Sequence, residues 1–244
     1  MKLRKFWAVA FVMVAFSGMS IAQSVDQIVD EHIAAMGGLD KWNALKTVEM
    51  NTTFTIQGME IENKIVIFNK RGLRSEVSVM GQKMVTAIDG NEGWMIRPSM
   101  MGGTGEPEDM PNALVKQTQA QTQLGGSLLH AKIQGDTIKL MGTEKLDGAD
   151  VYKIRIADKK GESYFVYVGK DSHYVLKSTG VRNIQGQNIE IAVTYSDFKT
   201  IDGLVFPHNM ETPSPMGGGT MTVETQSIVL NPKVDEAILK KGAK

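Results

Sequence analysis

The side chains best able to exchange a proton near neutral pH are four histidines, at positions 32, 130, 173 and 208. Their scatter argues against a catalytic or metal-binding constellation. His32 falls on the apolar stripe of an expected helix, where a packed core imidazole is the ordinary role. Ser172 and His173 are neighbours, but neighbours on a strand point to opposite faces, so they do not form a nucleophile–base pair. The chain has no HExxH, no G-x-S-x-G and no phosphate-binding loop. The acidic pairs Glu108-Asp109 and Asp235-Glu236 lie in polar stretches and read as solvated surface. On these residues no enzyme and no cofactor is expected.

Two other groups of residues stand out. The stretch "FNKRGLRSEV" (68–77) sets Lys70, Arg71 and Arg74 inside an apparent β-hairpin. Leu73, Val77 and Val79 share one face, and Arg74, Glu76 and Ser78 share the other. Arg71 has the parity of the apolar face, a rim position from which its planar guanidinium could bond lid carbonyls as a latch. Arg74 is expected to point outward, to Glu76 or to water. The plainer alternative makes both arginines edge charges that discourage sheet-to-sheet aggregation. Methionine is the second group: three of 16 fall in the first 22 residues, leaving 13. Met80, Met84, Met95, Met100, Met101 and Met110, with Met210, Met216 and Met221, gather around hairpins and Gly-rich loops. Flexible thioethers suit a cavity lining that repacks around an apolar ligand. Copper(I) ligation, with His208 near Met210, is a second chemistry for them. Ordinary core filling is the third.

The elements that must position these residues are short. Lys2, Arg4 and Lys5 precede an apolar run, Phe6 to Phe16, and Ser20-Ile21-Ala22 resembles a small-x-small cleavage site. This is the pattern of a secretory signal peptide over 1–22, so the expected mature protein is a single domain over 23–244, exported and cleaved near Ala22. Removing three cations leaves 24 Lys+Arg against 27 Asp+Glu, a balance that disfavours nucleic acid. There is no cysteine, so the fold must stand on its core without disulfides.

Ser24 and Gln27 form a capping box ahead of a helix with Val25, Ile28, Val29, His32, Ile33 and Met36 on one stripe, stopped at Gly37-Gly38. From Thr47 the period becomes two, and strands follow at short intervals to about residue 98. A Gly/Pro/Met-rich loop and a weak Gln-rich helix ending at Gly125-Gly126 interrupt them; Leu114, Thr118, Gln121 and Leu124 form its apolar stripe. Residues 98–126 are expected to act as a mobile lid. Strands resume at Ile138, and a short helix is expected after Pro232. The expected fold is mainly β: one strongly curved antiparallel sheet of about eleven strands, a half-open barrel, with helices covering its cavity.

Several stretches together resemble the periplasmic outer-membrane lipoprotein carrier family, with its LolA/LolB-like fold. "IVIFNKRGLRSEV" resembles the family's strand with a Lys-Arg pair and a following Arg, and "AIDGNEGWMIRP" its Asp-Gly turn, aromatic strand and closing Pro. "VGKDSHYVLKS" and "VTYSDFKTIDGLVFPH" resemble its later strands. The opening "VDEHIAAMGGLDKWNALKTVEMNTTF" resembles exported members from Bacteroidetes-type bacteria. The resemblance spans nearly all of the expected mature chain, with one departure: the family usually has Pro after the Lys-Arg pair, where this chain has Gly72.

The resemblance implies an apolar cavity that shields acyl chains of lipoproteins or lipids during outer-membrane lipoprotein sorting. It implies a membrane-bound donor or acceptor as partner and a monomer in the periplasm. The alternative is an envelope-stress sensor that detects lipids or mislocalised lipoproteins. Besides Arg71 and Arg74, the positions expected to serve the cavity or its lid are Phe54, Ile56, Met80, Met84, Trp94 and Met95. Met100, Met101, Met110 and Leu114 complete the set.

Overall fold

A computed structural model describes residues 23–243 except Gln57, Met80, Lys160, 185–186 and 215–218. The expected leader and its cleavage site, Met80, Met216 and the turn at Gly186 lie outside the described residues.

One antiparallel sheet organises the chain. Six strands, β1 (Thr47–Ile56), β2 (Met59–Phe68), β3 (Gly72–Val79), β4 (Gln82–Asp89), β5 (Glu92–Ile96) and β6 (Pro107–Asp109), step outward from the middle to one edge. The chain then crosses to the opposite edge. Seven strands return from there: β7 (Thr137–Leu146), β8 (Ala149–Ala157), β9 (Ser163–Gly169), β10 (Val175–Ile184), β11 (Gln187–Ile201), β12 (Leu204–Pro213) and β13 (Thr220–Leu230). β13 pairs with β1, so the sheet runs through thirteen strands and stays open at β6 and β7. The count exceeds the expected eleven partly because β6 has three residues and lies in the Gly/Pro-rich stretch, too short for any period to show.

Helices α1 (Val25–Ala35) and α2 (Leu39–Ala44) precede the sheet; α3 (Asn112–Gln119) and α4 (Ser127–Gln134) form the crossover. The Ser24–Gln27 capping box is present in full. All four helices pack on one face of the sheet, hereafter the inner face. Ile28, Val29, Ile33, Trp42, Leu128 and Leu129 bury themselves against Ile154, Ile156, Val166 and Val168 of the C-terminal half. Val115 of α3 joins Ile67, Leu73, Ile88, Met95 and Met110 on the N-terminal half.

The crossover departs from the expectation of one helix. α4 was not anticipated, although Leu128, Leu129 and Ala131 are fully buried. Eight residues give too few turns for a helical period to separate from a short apolar run. The buried residues of α3 are Val115 and Thr118, followed by Thr122 in the next 3-10 turn; of the expected stripe Thr118 is buried and Leu124 half-buried, whereas Leu114 and Gln121 are exposed. The C-terminal helix expected after Pro232 is a single 3-10 turn, Glu236–Leu239, capped by the Asp235 carboxylate.

Candidate functional site

The two ends of the strands differ. At the end where β1 begins, the helices cover the inner face. At the other end, strand register builds a continuous apolar row. Tyr195 of β11 pairs with Met210 of β12, Met210 with Val223 of β13, Val223 with Phe54 of β1, and Phe54 with Ile61 of β2. Directly paired residues point the same way, and Phe54 shares the parity of Met50, which packs in the helix-covered core. The row therefore faces inward. Phe54, Val223, Met210 and Tyr195 are half-buried, and none of the row belongs to the helix-packed clusters of described residues. Val77 and Met84, paired on β3 and β4, continue the apolar surface beside it.

Tyr195 also lines a cleft of about 230 Å3. Its walls come from Met36, Trp42 and Met50, from Val175, Phe198 and Phe206, and from the linker Gln123–Ser127 between α3 and α4. Trp42 and Phe206 meet edge to face, with ring centres 5.0 Å apart. His32 is the one titratable group besides Tyr195 on this wall. Its Nδ1 lies 2.7 Å from the His173 carbonyl, to which it donates. Burial pushes its pKa below the usual histidine value, against the opposing effect of that bond, and nearby His173 lowers it further. The imidazole is thus held neutral near pH 7. Among the described residues, cleft and row form one apolar surface without a fixed charge, suited to an aliphatic chain and poor for polar chemistry.

The three cations of "FNKRGLRSEV" lie elsewhere. Lys70 bonds Asn43 of α2 through its ammonium, and the Thr122 carbonyl through its backbone N–H. Arg71 is exposed and donates to Asp89 (2.8 and 3.0 Å) and Glu236 (2.5 Å). Among the described residues its side chain bonds these two carboxylates and no lid carbonyl. The carbonyl-binding arginine is Arg74, on the outer face and only 6% exposed. Arg74 donates to Glu76 as expected (2.7 Å), and also to the carbonyls of Ile238 and Ala243 (2.9 and 3.0 Å). Its guanidinium stands 5.4 Å from the Trp94 ring centre, and Trp94 Nε1 donates to the Leu239 carbonyl (2.7 Å).

The C-terminal segment thus lies as a strap over the outer face of the N-terminal half, where Leu239 packs on Val66 and Phe68. Strand parity had placed Arg74 outward correctly; it could not show that a segment more than 160 residues later covers that face. Gly72 fits the same seam. A Cβ there would stand 2.2 Å from the Ile88 carbonyl oxygen and 3.0 Å from a Leu239 methyl.

The other expected positions separate into groups. Phe54 and Met84 belong to the open inner surface. Ile56 ends the same strand as Phe54, its side chain outside the described residues. Met95 and Met110 are packed in the N-terminal core, Trp94 is under the strap, and Leu114, Met100 and Met101 are exposed. Ile61, Tyr195, Val223 and the cleft residues were missed as site residues. Their alternating pattern is visible in the sequence, but which strands adjoin is not.

No family model matches the chain, and no curated protein matches it. Solved structures do. A DUF1329 family protein from Desulfovibrio piger superposes with a TM-score of 0.59 at 13% identity, covering 89% of this chain and 98% of its own. A domain assigned to outer-membrane lipoprotein sorting from Vibrio parahaemolyticus gives 0.57 at 12%, covering 89% and 96%. A LolA superfamily protein from Nitrosomonas europaea gives 0.56 at 12%, covering 90% and 99%. The fold is LolA-like. At these identities the likeness speaks for the LolA-like architecture alone.

Proposed function

We propose that the protein is a periplasmic carrier that shields acyl chains of lipids or lipoproteins from water, with no catalytic step of its own. The observation that carries this reading is the uncharged apolar surface running from the cleft along Tyr195, Met210, Val223, Phe54 and Ile61 to the open end of the strands. The cleft alone is smaller than the ~300–1,000 Å3 usual for ligand sites. It would take part of a long chain, and the apolar row would take the rest. The signal-peptide pattern and the two LolA-like neighbours with sorting or LolA descriptions support an exported carrier.

Burying about fifteen methylenes releases on the order of 12 kcal/mol at ~0.8 each. Ordering the chain and losing translational freedom return a large share of that. The remainder is a moderate, reversible affinity, which a shuttle needs. Displacement of a fluorescent fatty acid tests the reading. Delipidated protein should bind it saturably, and Phe54→Glu, which puts a charge into the apolar row, should weaken binding by about tenfold or more. Absence of saturable binding by the folded wild type would refute the carrier.

A further inference from the structure

Besides His32, the polar side-chain atoms on the cleft wall belong to Trp42, Gln123, Ser127 and Tyr195. Each of these has a partner within the protein. Trp42 Nε1 donates to the Met36 carbonyl (3.0 Å), and Gln123 Oε1 accepts from Gln134 (3.4 Å). The Tyr195 hydroxyl lies 3.3 Å from Ser178 Oγ, and Ser127 engages the Tyr164 hydroxyl. His32 is only half satisfied. Its Nδ1 lies 2.7 Å from the His173 carbonyl oxygen. A carbonyl can only accept, so Nδ1 holds the ring proton, and in the neutral ring Nε2 presents a lone pair. Among the described residues nothing donates to that nitrogen.

Nε2 is not sealed in. Among the described residues, the one enclosed side-chain nitrogen or oxygen without a hydrogen bond is His173 Nδ1. His32 Nε2 therefore keeps some accessible surface, although the residue as a whole is 2% exposed. The space that this ring borders is the cleft. An acceptor fixed in an apolar wall discriminates between ligands. A chain ending in an O–H or N–H completes the bond. A chain ending without a donor strips water from Nε2 and returns nothing.

We infer that His32 selects the cargo by its head. The cleft takes single-chain lipids whose head is small, uncharged and carries an O–H or N–H, as in long-chain alcohols and primary amides. The donor sits on Nε2, and the tail runs past Tyr195 along the row toward Phe54. This rests on the carrier reading and narrows its cargo.

Dodecanol and methyl undecyl ether test the assignment: they are isomers, and only the alcohol has a donor. Each is titrated against bound fluorescent fatty acid. Wild type should hold dodecanol about five- to tenfold more tightly than the ether. His32→Phe keeps a ring but removes the acceptor, and should bring the two within about twofold. Tyr195→Phe removes the cleft's phenol and should leave the preference in place. The preference is a ratio within one protein, so a general loss of stability does not move it. The nitrogen-15 resonance of His32 Nε2 needs no variant: it should move upfield with dodecanol and stay in place with the ether. Equal binding of both ligands by wild type, a preference that survives His32→Phe, or one that disappears in Tyr195→Phe overturns the assignment and leaves the carrier reading standing. If folded wild type binds neither these ligands nor the fatty acid, both fall.

Discussion

The two halves of the sheet shelter their outer faces by different means. On the C-terminal half, Lys153 of β8 stands 5.3 Å from the ring centres of both Phe165 and Tyr167, and Lys177 of β10 stands 5.7 Å from Tyr167. Both lysines are direct register partners of Tyr167. Their ammonium groups stand over the aromatic rings, and that of Lys153 also pairs with Glu144. On the N-terminal half the outer face carries Val66, Phe68, Ala87 and Trp94, too much apolar surface for neighbouring side chains to hide. There a remote segment is brought in and held by Arg74. The first solution is local and tolerates loss; the second is a clamp whose parts depend on one another. An apolar ring on a sheet therefore does not by itself show how it will be covered.

That contrast can be broken by mutation. Trp94→Ala should cost the most, about 3–5 kcal/mol, since it empties a buried site and leaves the Leu239 carbonyl without its donor. Arg74→Leu should follow at about 2–4 kcal/mol, because two half-buried carbonyls lose their donor and the Glu76 carboxylate is left with Lys83 alone. Urea titrations give both values, and a cost for Arg74→Leu no greater than that of a surface charge would refute the clamp.

Acid should act on the other half. His32 lies on the buried face of α1 with its pKa lowered, chiefly by burial. The unfolded chain takes up a proton first, so stability is full above the ordinary histidine value of about 6.5 and falls as pH drops below it. Trp42 fluorescence during unfolding at several pH values should show the loss, and His32→Gln should flatten it. Glu76 and Asp89 act lower. For Glu76 the raising effect of burial is outweighed by its bond and attraction to Arg74 and Lys83, and for Asp89 the Arg71 bond dominates. Both have pKa values lowered by folding, so their contribution holds above the ordinary carboxylate range and is lost below it.

The smallest effects should come from the cations that shield or pair in the open. Lys153→Ala should cost about 0.5–1 kcal/mol through lost ring cover. Arg71→Gln should cost under about 1 kcal/mol despite its two carboxylate partners, since all three side chains are well exposed. If Arg71→Gln cost as much as Arg74→Leu, the division between clamp and surface pair would have to be withdrawn.

Local pattern made much of this protein legible. The capping box at Ser24 and Gln27, the stripe of α1, the alternation of Thr47–Ile56 and the Asp-Gly turns each depend on residues a few positions apart, so the sequence determined them alone. Parity along β3 sufficed to send Arg74 away from Leu73 and toward Glu76, because two-residue alternation is a property of the strand itself. It placed Phe54 on the apolar face for the same reason. What joined Phe54 to Val223, Met210 and Tyr195 was the closure of β13 onto β1, a contact between the two ends of the sequence. The cover over Arg74 and Trp94 came from Ile238, Leu239 and Ala243 in the same way. Pairing across such distances is decided by where apolar surface from the whole chain can be buried at once, and no short window of residues contains that information.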